Sequence, residues 1–256
     1  MRIEPEISGI TLVLRGHFNP AIFVPAWFAL HGLLPETLAS GADLSIASPH
    51  VTAFGVEWLQ LQVADDRMSL ESTQAPFTRL RDLALRIFRE KLPETPLYQL
   101  GINRAVHFRV ESLAARDRIS RILAPAEPWE GSGLELGSNG QQGEVTSITM
   151  SQIGLEGRPA EDRINVKVEP STCIEGNRGV FVEVNDHYTI GDEDLGSSEK
   201  LIDILDDNFD LSMSQSAKIV DHVMSLAVTR QSSVGPQERG KFLSSSTSSI
   251  HRTMPR

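Results

Sequence analysis

The chain has 256 residues, 40% of them hydrophobic, with a formal net charge of -10 and a single cysteine, Cys173. That length accommodates one large domain or two small ones around a sizeable core. The acidic balance argues against broad binding to nucleic acid or anionic membrane, both of which need a dense basic surface. One cysteine excludes an intramolecular disulfide and a thiolate zinc cluster built from one chain. Acids and a glycine interrupt the opening stretch MRIEPEISGITLVLRG, and nowhere do 18 apolar residues run together. A cytoplasmic protein with no signal peptide or membrane span is expected.

Residues 7–18, ISGITLVLRGHF, have the β-branched, apolar character of a strand, and FVPAWFALHGLL follows with Phe23, Trp27, Leu30 and Leu34 at helical intervals. The aromatic and proline cluster around it (Phe18, Pro20, Phe23, Pro25, Trp27, Phe28) reads as core, with a partner-binding anchor as the alternative. VTAFGVEWLQLQVADDRMSLES predicts a hairpin turning at Asp65-Asp66, with Leu59, Leu61 and Val63 on one face. APFTRLRDLALRIFREKLPETP places Phe77, Leu80, Leu83, Ala84, Ile87 and Phe88 on one stripe and predicts a helix ending before Pro93. LYQLGINRAVHFRVES predicts a long strand, and SLAARDRISRILAP a helix capped by Ser112 and stopped at Pro125.

The Pro-, Gly-, Ser- and Asn-rich stretch that follows suggests a linker or exposed loop at 127–142, between a first half (1–126) and a second (143–228). In the second half three strands are expected in EVTSITMSQIGLEG, DRINVKVEPS and RGVFVEVNDHYTI, the last two joined around TCIEGN. A helix or helix pair then spans 197–228, with Leu201, Ile204 and Leu205, then Ile219, Val223 and Leu226, as its apolar stripes. Strands followed by a long helix occur twice, which hints at an internal duplication or at two layers of one α+β domain. Residues 229–256 are poor in apolar side chains and are expected to form a disordered tail.

Two constellations invite a chemical reading. In FVEVNDHYTIGDEDLG, Glu183 and His187 project from one side of a strand, and with Asp186 they form the candidate ligand set for a divalent cation. Asp192, Glu193 and Asp194 lack the glycine and the bidentate glutamate of a calcium-binding loop, so their expected role is to precede a helix whose positive end favours acids. In GINRAVHFRV, Asn103, His107 and Arg109 share one strand face and Arg104 takes the other. The row suits a ligand or partner, or cross-strand pairing with acids such as Glu57, Glu71 or Glu183. No nucleophile elbow, phosphate loop, dinucleotide turn or zinc-hydrolase motif is present, and nothing basic flanks Cys173 to activate its thiol.

Charge is unevenly spread. From Arg79 to Arg121 ten basic residues face five acids, whereas from Glu127 to Asp210 nineteen acids face five bases. The two regions should attract, within the chain, between copies, or toward a charged partner.

The order FNPAIFVPAWF, FGVEWLQLQVADDRMSLES, a basic amphipathic helix, LGINRAVHFRV, and GVFVEVNDHY ahead of an acidic loop and long helix resembles a sporadically distributed family of uncharacterised bacterial proteins, over about residues 10–228. Its anchors are Gly101, Asn103 and Arg104, where such proteins often have a glycine-containing strand with an Asn-Arg pair. The resemblance implies a soluble bacterial α+β protein and assigns no catalytic residue.

The expectation is therefore an α+β protein whose antiparallel strands are covered by helices, in two similar halves with a disordered tail. The leading function is a non-enzymatic cytoplasmic interaction or assembly protein, self-associating or bound to a protein partner, with no cofactor. The alternative is a ligand-binding or metal-dependent enzyme whose site joins Asn103, His107 or Arg109 to Glu183, Asp186 and His187 between the halves. Nucleic-acid binding through Arg79, Arg86, Arg89, Arg116 and Arg121 ranks last, because the field of the whole chain is repulsive.

Overall fold

Alternation decides which side of each strand is buried. In β1 (Ile7–Gly16) the side chains of Ile10, Leu12 and Leu14 are buried, while Thr11 and Val13 are half-exposed. The structure, a computed structural model, describes residues 3–125, 127–129, 145–191 and 196–228. The acids Asp192 to Asp194, most of the expected linker and the expected disordered tail lie outside the described residues.

After β1 come two short helices, α1 (Pro25–Leu30) and α2 (Glu36–Ser40). The helical stripe expected through Leu30 breaks there: α1 has only six residues, Leu30 is 81% exposed, and Gly32 at φ +64° turns the chain so that Leu34 enters the core beyond the helix. Phe23 and Phe28 are core, as the aromatic cluster predicts. A meander follows: β2 (Asp43–Ala47), β3 (Val51–Val56), β4 (Leu59–Ala64) and β5 (Arg67–Ser72). The hairpin expected at Asp65-Asp66 is the β4–β5 turn, and a further turn at Glu57-Trp58 adds β3.

The most periodic segment is helical throughout, as α3 (Thr78–Leu85) continued by a π-helical stretch, Arg86–Lys91. It buries Leu80, Leu83, Ala84, Ile87 and Phe88. β6 (Leu97–Arg109) leads to α4 (Leu113–Leu123), where the Ser112 hydroxyl accepts the Ala115 N–H at 3.2 Å. β7 (Ile148–Ile153), β8 (Arg163–Pro170) and β9 (Gly179–Thr189) precede α5 (Glu199–Ser225), one helix of 27 residues.

The strands form one antiparallel sheet in the order β2-β3-β4-β5-β1-β6-β9-β8-β7. β6 and β9 pair over eleven rungs, from Gln99↔Thr189 to Arg109↔Gly179, so residues 1–126 and 143–228 share that sheet. Every core side chain of the central strands points to the same side: Leu12 lies beside Ile102 and Leu70, and Val106 beside Val182. At 1.5 Å per residue α5 is about 40 Å long, enough to serve both ends of that layer. Leu201, Ile202, Leu205 and Phe209 join the cluster around β1, β4, β5 and α3, and Val220, Val223 and Met224 join the one around β6, β8, β9 and α4.

Part of the charge segregation is spent inside the chain. Arg89, from the basic helix, reaches Asp203 at 2.6 Å and Asp206 at 2.7 Å on α5, and Arg81 lies 3.7 Å from Asp210. Among the described residues, no helix is long and apolar enough to cross a membrane.

Candidate functional site: the uncovered face of the sheet

The same alternation that builds the core leaves the opposite face of the sheet polar. Among the described residues, the helices and both core clusters lie on one side, and the side chains of the other are half-exposed or exposed. Across the middle of that face runs one register row: Gly55, Gln60, Glu71, Thr11, Asn103, Asn185, Asn165 and Ser151, each on the next strand from β3 to β7.

Five of these residues are chained by hydrogen bonds. Asn103 Nδ2 donates to the Thr11 carbonyl at 3.0 Å, Asn185 Nδ2 to Asn103 Oδ1 at 2.6 Å, Asn165 Nδ2 to Asn185 Oδ1 at 3.1 Å, and Ser151 Oγ to Asn165 Oδ1 at 2.6 Å. An amide has two N–H donors and two acceptor lone pairs, so Asn185 and Asn165 each keep one of each for an outside group. The ladder needs room at Gly101: a Cβ there would sit 2.9 Å from Asn185 Nδ2 and 3.2 Å from Asn103 Nδ2. Gly101 and Asn103, two residues apart on β6, thus meet in one local arrangement.

Glu71 stands in the row itself, and further charged groups flank the five-residue ladder. Lys167 lies 3.1 Å from Glu169 and 3.9 Å from Glu183, and its ammonium is 5.2 Å from the centre of the Phe181 ring. His107 packs against Phe181 at a ring separation of 4.7 Å, with its Nδ1 2.8 Å from Ser171 Oγ. Burial lowers the His107 pKa, with Glu169 opposing, and burial followed by the charge of Arg163 lowers that of His187. Arg109 is a fork onto Glu6, at 2.6 and 3.2 Å, and also donates to the Glu175 carbonyl.

The expected ligand sets do not converge. Glu183 and His187 share the uncovered face, but Asp186 lies on the helix side, because it follows Val180, Val182 and Val184 at the same parity. Among the described residues, no group of three or more His, Cys, Asp or Glu side chains is placed to hold a metal ion. His107 is opposite Phe181, six residues along β9 from His187, which separates the two histidines by about 20 Å. Arg104 is on the helix side, in register with Ile10 and Val184. Of the candidates in the first half, Asn103 meets Asn185 and His107 meets Phe181 and Ser171 across the two halves on this face.

Sequence reasoning did not find the polar network under the sheet. Asp186, 2% exposed, accepts hydrogen bonds from Arg158 Nη1 at 2.8 Å, Tyr188 OH at 2.9 Å and Ser212 Oγ. Arg158 also binds Asp162 at 3.1 Å and the His187 carbonyl at 2.9 Å, and its guanidinium stacks 3.9 Å over the Tyr188 ring. Asp162, also 2% exposed, takes the Thr189 N–H at 2.8 Å. Burial pushes the Tyr188 phenol up to about 12. Each member has its partner, so the network ties the β7–β8 connection, β9 and α5 together as structure. The signal was Asp186 itself, a carboxylate at an apolar parity that required a buried cation.

The sequence matches no protein-family model and no curated protein.

Proposed function

We propose that the chain is a non-enzymatic interaction protein that presents the uncovered face of its sheet to a protein partner. The observation that carries this is the polar face itself, with its strip of unsaturated amides. Eight inter-strand spacings by about six residues of strand give on the order of 800 Å², the area one partner contributes to an interface of ordinary size. Asparagine, glutamine and threonine at its centre, with Glu71 among them and ion pairs flanking them, suit a wet, reversible contact. The net charge of -10 favours a protein over a nucleic acid as that partner, and an exposed, unpaired Cys173 fits a reducing cytoplasm.

In this proposal the sheet consists of two related units meeting at β1 and β6. Supporting this, the order runs outward from that pair through β5, β4 and β3 on one side and β9, β8 and β7 on the other. Each unit is then a strand, helical cover, an antiparallel meander and a closing helix, and on this proposal the second unit begins at β6.

Native mass spectrometry of untagged protein purified without chelator tests the non-enzymatic reading. The expected spectrum shows polypeptide without bound cation or small ligand. A stoichiometric cation that is lost on His187→Ala overturns it.

A further inference from the structure

Among the described residues the sheet ends at β2 and β7, and the two edges are built differently. β2 begins with Asp43, and its pairing with β3 shifts register between Leu44 and Ile46. A charge and a bulge are both devices that blunt an edge against further strands. β7, sequence ITMSQI, has neither: it contains no charged residue, proline or glycine, and pairs with β8 in unbroken register from Ile148↔Val168 to Ile153↔Arg163. Met150 is 64% exposed on the helix side and Ile153 70% exposed on the polar side. A short, regular, uncharged strand with apolar side chains on both faces is the type of edge that recruits another strand.

We propose that β7 pairs antiparallel with β7 of a second copy of this chain, about a twofold axis at Ser151, to make one continuous sheet of eighteen strands. The register follows from geometry. Residues opposite each other in an antiparallel pair lie on the same side of the sheet, and a twofold axis perpendicular to it keeps both helical layers on one side. Centring on Ser151 sets Thr149 opposite the partner's Ile153 and Met150 opposite the partner's Gln152, so that each exposed apolar side chain gains a neighbour. It also sets the two asparagine ladders end to end, with Ser151 opposite the partner's Ser151 and each Ser151 Oγ donating to its own Asn165.

Charge permits a second copy at this edge. Two chains of net charge -10 repel, and β7 with its neighbour β8 is where they can meet, since β7 is neutral and β8 carries Arg163 and Lys167 against Glu169. A β7-to-β2 contact would propagate into an open fibre, which the bulge on β2 opposes. The inference is independent of what docks on the uncovered face.

Sedimentation velocity on the purified full-length chain, with a Cys173→Ser, Ser151→Cys variant for cross-linking, tests it. Two 28.2 kDa chains sediment together, Met150→Lys weakens that association at least about tenfold, and Ser151→Cys gives a disulfide-linked dimer under mild oxidation. Cysteine at Gln62, exposed in the middle of the same face, gives none. Because β7 is exposed on both sides, Met150→Lys leaves the core intact, and an unchanged melting temperature checks this. A monomer at all concentrations, or a dimer indifferent to Met150→Lys in which Ser151→Cys does not cross-link, overturns the proposal.

Discussion

Asp186→Ala removes the carboxylate on which Arg158, Tyr188 and Ser212 converge. The Arg158 side chain is only 18% exposed, so the substitution strands much of a cation away from water. Breaking a buried ion pair costs about 3–5 kcal/mol. The lower end applies here, because Arg158 keeps Asp162 at 3.1 Å and the His187 carbonyl at 2.9 Å, and Tyr188 keeps Ser212 at 3.0 Å. A loss of about 3 kcal/mol corresponds to a fall of about 6–12 °C in melting temperature for a chain of this size. Urea unfolding followed by circular dichroism gives the number. The double variant Arg158→Met, Asp186→Leu supplies the control, since replacing both partners by apolar groups is far less harmful than orphaning one. If Asp186→Ala lies within about 0.5 kcal/mol of wild type, or the double variant loses the sum of the two single losses, the network does not tie the strands to α5.

Three further outcomes are expected. The chain has two tyrosines, and in the Tyr98→Phe protein the phenolate absorbance of folded Tyr188 emerges only near pH 12. The folded value lies above the unfolded one of about 10, so stability is level below pH 10 and falls toward pH 12, and a folded-state titration near 10 would contradict the burial. His107 and His187 have lowered folded values, so the unfolded chain takes up protons first. Their stabilisation is whole above about pH 6.5 and is lost as pH drops through the folded values, and denaturant midpoints from pH 5 to 8 should flatten in the His107→Gln, His187→Gln protein. Gly101→Ala drives a methyl to 2.9 Å from the Asn185 amide, at a cost of about 1–2 kcal/mol that Asn185→Ala largely relieves. Equal unfolding midpoints for Gly101→Ala and wild type would mean that the ladder is loose.

The elements were legible where periodicity was long. The stripe Leu80, Leu83, Ala84, Ile87, Phe88 and the alternation Val180, Val182, Val184 each name their own geometry, and Ser112 marks its helix start. β2 was missed because DLSIA is a five-residue edge strand exposed on both faces, with no buried side to impose a pattern. Leu30 was misplaced because a six-residue helix ends before its stripe repeats. The site was legible only by strand. Asn103 stood out within GINRAVHFRV, but its contact with Asn185, and that of Asn185 with Asn165, depends on register between strands up to 82 residues apart. Register comes from how hydrophobic faces and turns align across the whole sheet. The metal reading failed on parity, which places Asp186 with the valines and under Arg158.

Photo-crosslinking in the cells that make the protein tests most directly whether the uncovered face is the partner surface. A photoreactive residue is placed in turn at Gln62 and at Arg163, both exposed on that face, and at Asp207, exposed on α5. The account predicts that Gln62 and Arg163 capture the same protein and that Asp207 captures none. Capture from Asp207 with silence at Gln62 and Arg163 would place the interface on the helical layer and contradict it.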